Sequence, residues 1–155
     1  MGDMTVDDDR FASACLFAVT RFNETGELLP MIHAHSKFGA DYIFGLTFAS
    51  AEEQDQQLAT LRAHFMRHQV EHYIVMNEGW MYIGKPGEDC TQMAVRPSEH
   101  PERREVVIIA SVSYQRSRIR TFVINRSGSK PVLEEMVLPS AATAGGGKFM
   151  TLLPP

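Results

Sequence analysis

Five of the six histidines fall in two clusters, His33 with His35 and His64 with His68 and His72. His33 and His35 are two residues apart, so on a strand both project from one face. His64 and His68 are four apart and share a face on a helix. Paired imidazoles at these spacings are how proteins hold zinc and related ions, which makes His33, His35, His64 and His68 the candidate metal ligands. Joining the two clusters requires a strand through 33–35 to pass the C-terminal end of a helix through 64–68. The competing reading is packing, because His64 and His68 flank an apolar stripe of Leu58, Leu61 and Phe65, where a boundary histidine sits half buried. The His-Glu-x-x-His signature of zinc proteases is absent. The expectation is that no metal and no other cofactor is bound.

Glu78 is the second candidate. In the β-rich run His72–Ile83 it alternates onto the same face as Ile74, Met76, Trp80 and Tyr82. A carboxylate among such groups is either paired or raised in pKa. Pairing makes it a structural partner of Arg96, Arg103 or Arg104, whereas a raised pKa suits acid–base work. Glu78 and Arg104 are therefore the catalytic candidates, with Trp80 and Arg96 as ligand-binding candidates. No Ser-His-Asp or Cys-His set is visible by spacing. Gly145-Gly146-Gly147-Lys148 lacks the first glycine of a phosphate loop and reads as a hinge. Arg116, Arg118, Arg120 and Arg126 alternate through a hairpin and could touch phosphates, but they sit in a chain of net charge −4. Solvated hairpin residues are the preferred reading, and nucleic acid is not the expected partner.

The elements that position these residues follow from periodicity. Phe11, Cys15, Ala18 and Phe22 recur at helical spacing behind the acidic start Asp7-Asp8-Asp9, and Asn23–Gly26 reads as the stop. A strand through Leu16–Arg21 is the rival reading. Pro30–Ser36 and Tyr42–Phe48 read as strands joined by a turn over 37–41. Ser50 and Glu53 form a capping box that opens a helix over about 51–69. Strands are then expected over 72–83, 105–114, 119–126 and 132–138. The order is α-β-β-α-β-β-β-β: an α+β fold, with an antiparallel or mixed sheet of about six strands packed by two helices. Residues 84–104 lack periodicity.

With 155 residues, 44% apolar and 22% charged, the composition suits one globular domain over 1–140. Residues 141–155 form a glycine-hinged apolar tail. Only two cysteines, in no metal or redox spacing, together with an N-terminus unlike a secretory signal and no apolar run of membrane length, lead to the expectation of a soluble, cytoplasmic protein.

Glu78-Gly79-Trp80 on a strand, followed by Arg96-Pro97-Ser98-Glu99-His100-Pro101-Glu102-Arg103-Arg104-Glu105-Val106, resembles a group of small α+β proteins of bacteria and phages. The resemblance implies an α+β fold and draws attention to Glu78, Trp80, Arg104 and Glu105. It implies no activity. The functional expectation is a non-enzymatic binding or accessory protein that acts as a homodimer, the tail contributing to its interface. The alternative is an acid–base or metal-assisted hydrolase that uses Glu78 with the histidine clusters.

Overall fold

The structure is a computed structural model and describes residues 3–89, 92, 95, 97–137 and 148–155. Two helices and six strands follow in the order α1 (Asp3–Thr25), β1 (Met31–Ser36), β2 (Asp41–Gly45), α2 (Ala51–Arg67), β3 (Val70–Met81), β4 (Arg104–Ser113), β5 (Ser117–Asn125) and β6 (Val132–Met136). The strands form one antiparallel sheet in the order β2-β1-β3-β4-β5-β6. This is the α+β architecture expected from the periodicity.

Each helix covers one face of the sheet. Phe11, Cys15, Ala18 and Phe22 of α1 are buried against Ile74, Met76, Val107, Ile109, Phe122, Ile124 and Leu133. Leu58, Leu61 and Phe65 of α2 are buried on the opposite face with Ile32, Ala34, Tyr73, Val75, Ala110 and Val112. The 3.6-residue stripe of each helix thus meets one of the two faces that strand alternation creates. The helical reading of 11–22 holds, because a strand would have split this stripe between two faces. Gly26 ends α1 at φ +77°, its N–H donating to the Phe22 carbonyl at 2.7 Å. A side chain there would be strained by that φ and would press on the Pro131 ring, whose Cγ lies 3.2 Å from the Cβ position. Ser50 accepts from the Glu53 N–H at 3.1 Å and opens α2 as the capping box predicts.

The C-terminal residues lie on their own chain. Leu152 is buried beside α2, the Tyr73 hydroxyl donates to the Phe149 carbonyl, and Arg62 Nε donates to the Thr151 carbonyl at 3.4 Å. Burial of Tyr73 pushes its hydroxyl pKa up to about 12. A buried hydroxyl left without a partner would cost about 1–3 kcal/mol, so the tail adds polar satisfaction to its apolar burial. The glycines at 145–147 lie outside the described residues. Among the described residues no helix is long and apolar enough to cross a membrane.

Candidate functional site

Register gathers one polar row on the α1 face of the sheet. His35 stands opposite Asp41 of β2 on one side and opposite His72 of β3 on the other. His33 lies two residues along β1 on the same face. His35 Nδ1 donates to Asp41 Oδ1 at 2.7 Å, and His33 Nε2 lies 3.8 Å from Asp41 Oδ2. The His35 and His72 rings stack with centroids 5.4 Å apart and planes 11° off parallel. His72 Nε2 is hydrogen-bonded to Ser111 Oγ at 2.7 Å. Its Nδ1 lies 3.3 Å from Asp7 Oδ1 on α1, within ion-pair distance but without hydrogen-bond alignment. Asp7 also holds Arg10 at 3.5 Å.

Burial sets the charge of this row. His35 and His72 are only 4% and 2% exposed. Desolvation, with Arg10 and the neighbouring imidazoles adding to it, pushes His72 down to about 4. Burial likewise lowers His35, although Asp41 pulls the other way. The hydrogen bond from His35 in turn holds Asp41 below its usual range. Both buried imidazoles are thus neutral at pH 7. Each has one ring nitrogen tied, while His35 Nε2 and His72 Nδ1 have no hydrogen-bond partner among the described residues.

Two cavities adjoin the row and share Val6 and Arg10. One, of about 360 Å³, is polar, with Asp7, Arg10, His35, Lys37, Glu71 and His72 in its lining. The other, of about 500 Å³, is an apolar crevice beside α1, with Phe17, Met31, Ile43 and Met76 in its lining and Asp9, Arg10, Ser13 and His33 supplying polar groups. It exists because α1 packs over β3, β4 and β6 and leaves the same face of β2 open at Ile43 and that of β1 partly open at His33. Ile43 is 69% exposed and Phe17 49%.

The connectivity Ser111–His72–Asp7 matches that of an acyl-transfer triad. Ser111, however, is a buried residue on β4 and is not among the residues lining either cavity. A histidine near pKa 4 is also a weak base at neutral pH. The row holds a buried polar network together without presenting a nucleophile.

The remaining sequence candidates are dispersed. His64 and His68 lie on the α2 face, on the opposite side of the sheet from His33 and His35. Their rings are 4.2 Å apart beside Tyr42, whose hydroxyl is 3.1 Å from His68 Nδ1, and His64 packs edge-on against Phe44. The two histidine clusters do not converge, and His72 joins the β1 pair. Glu78 is exposed at the margin of the α1 layer, opposite buried Val107, and accepts from the Leu28 N–H at 3.2 Å. Trp80 is 44% exposed under the Arg103 guanidinium, 4.8 Å from its ring. Arg104 pairs across from Met81 and alternates to the other face from Glu105 and Trp80. None of these residues lines either cavity, and Arg96 lies outside the described residues. Arg116 and Arg118 both pair with Asp8, Arg120 with Glu135 at 2.8 Å and Arg126 with Glu105 at 2.6 Å. The alternating arginines are thus matched by carboxylates.

Asp41, Asp7, Arg10 and Ser111 were not singled out by sequence. The register follows from a loop two residues shorter than expected: the Ser36 N–H donates to the Ala40 carbonyl at 2.9 Å, and Asp41 then falls opposite His35. Asp7, Arg10 and Ser111 reach the row only through tertiary packing. No family model, curated protein or solved structure matches this chain.

Proposed function

We propose that this chain is a binding protein that takes a small amphipathic molecule into the crevice beside α1. The observation that carries this reading is the crevice itself. About 500 Å³ of mainly apolar space, lined by Phe17, Met31, Ile43 and Met76, meets polar groups at His33 and Arg10, with Asp9 beside them. Ligand sites have this character: mostly apolar walls of a few hundred Å³ with a small number of placed polar groups. The molecule's apolar body lies along α1 and its polar head at His33 and Arg10.

Binding is favoured over catalysis by the covered Ser111 and the weakly basic His72. The hydrolase alternative built on Glu78 lacks an assembled site. Glu78 is six residues along β3 from His72, on the order of 20 Å at strand rise. The matched arginines favour a partner other than nucleic acid. A cytoplasmic setting goes with this reading, Cys15 being a buried free thiol. So does a homodimer, now assigned to the open edge of β2. Asp41–Gly45 carries exposed Ile43 there, on a strand paired on one side only.

The test uses 8-anilinonaphthalene-1-sulfonate, a probe with an apolar body and an anionic head. The expected result is saturable binding at one site per chain, weakened by about tenfold or more in Ser13→Trp. Ser13 is an exposed α1 residue lining the crevice, so the indole fills the space without entering the core. Binding that is unchanged in Ser13→Trp, or absent from the parent protein, refutes the reading.

A further inference from the structure

We infer that His33, His35 and Asp41 form a binding site for a divalent transition-metal ion of the zinc type. One donor atom from each residue lies within 4.8 Å of the other two. Zinc bonds to nitrogen and oxygen of about 2.0–2.1 Å put tetrahedral ligand atoms roughly 3.3 Å apart. Two of the separations, 2.7 Å from His35 Nδ1 to Asp41 Oδ1 and 3.8 Å from His33 Nε2 to Asp41 Oδ2, bracket that value. Closing the set asks for side-chain rotations of Asp41 and of the His33 ring, 56% and 35% exposed, since the donors start within 4.8 Å of one another.

The chemistry of the set matches its geometry. Two imidazoles and one carboxylate suit a borderline ion better than calcium or magnesium, which prefer all-oxygen shells. His35 presents Nδ1 to the Asp41 carboxylate at 2.7 Å. Coordination through Nδ1 asks only that its proton move to Nε2, a nitrogen that has no hydrogen bond to lose. Arg10, the nearest guanidinium, is held at 3.5 Å by Asp7, which tempers its repulsion of a cation. Three protein ligands leave a coordination position open, as in catalytic rather than structural zinc sites. His33 also lines the apolar crevice, so an ion held here lies at the crevice's polar end. The other histidine pair is a poorer site: His64 and His68 sit among aromatic rings, with His68 Nδ1 engaged by the Tyr42 hydroxyl.

The inference stands apart from the crevice reading, because the ion is titrated alone. Untagged full-length protein, stripped with chelator, is titrated with Zn(II) by calorimetry and with Co(II) by visible absorption. The expected result is one ion per chain, with a Co(II) d–d band of low-symmetry, four- or five-coordinate character. His33→Ala and Asp41→Asn are each expected to weaken binding about tenfold or more. Both residues are partly exposed, so circular dichroism should confirm that the variants stay folded. The double variant His64→Ala with His68→Ala is expected to bind as the parent does. Affinity no tighter than millimolar, binding that survives both single variants, or binding lost only in the double variant would overturn the assignment.

Discussion

The buried histidine row makes stability pH-dependent with a defined sign. His72 has its folded pKa pushed from the ordinary 6.5 down to about 4. As pH falls through this interval the unfolded chain takes up a proton that the folded chain refuses. The stabilisation is therefore complete above about pH 6.5 and is lost as pH falls towards about 4. One proton is worth ~1.4 kcal/mol per pH unit, so His72 alone accounts for about 3 kcal/mol across the interval. His35 is lowered by burial too and adds in the same direction. Asp41 does not interfere, because its folded value lies below the ordinary carboxylate value of 3.8 and its own loss begins only at lower pH. The perturbation is His72→Gln, which keeps a polar side chain beside Ser111 but removes the titrating ring. Urea unfolding followed by circular dichroism, in chelator at several pH values from 7.5 to 4.5, gives the two slopes. The parent should lose about 2–3 kcal/mol more than the variant over that range. Parallel curves for parent and variant would refute the claim that His72 is held neutral by burial.

Three other outcomes follow from the packing. Leu152→Ala should cost about 2–5 kcal/mol, because Leu152 is 1% exposed against the α2 layer; a loss below ~0.5 kcal/mol in urea melts would remove the tail from the core. Glu78→Gln should cost about 1 kcal/mol or less, since the amide Oε1 can still accept from the Leu28 N–H and only the charge assistance of one exposed bond is lost, and a loss above ~2 kcal/mol would show that Glu78 is a buried structural partner after all. In sedimentation, the homodimer should persist in a chain ending at Ser140 and dissociate in Ile43→Lys on the β2 edge, whereas a monomeric parent at tens of micromolar would end the dimer proposal.

The layers of this fold were legible because they depend on local period. Phe11, Cys15, Ala18 and Phe22 mark one helical stripe and Leu58, Leu61 and Phe65 another, and each stripe needs only an apolar sheet face to complete it. The site was harder to read, because its members come from five elements and meet through register and packing. His33 and His35 could be placed on one face from sequence, but which helix that face meets depends on the packing of the whole sheet. Placing Asp41 in the turn instead of at the first position of β2 hid its pairing with His35. His72 lies near the start of a strand just past the helical histidines, and nothing in its spacing signals that it stacks on His35. The Glu78 expectation failed on coverage: alternation told correctly which face Glu78 shares, but not that this end of β3 remains open to solvent.

The central claim is that a small amphipathic molecule binds in the crevice between α1 and β1–β2. The most direct measurement is an amide chemical-shift titration of ¹⁵N-labelled protein with 8-anilinonaphthalene-1-sulfonate. Saturable shifts centred on Val6, Ser13, Phe17, Met31, His33 and Ile43, the residues lining the crevice, are the predicted result. Shifts centred instead on the α2 face around Phe48, Arg62 and Leu152, or no saturable shift at all, would contradict it.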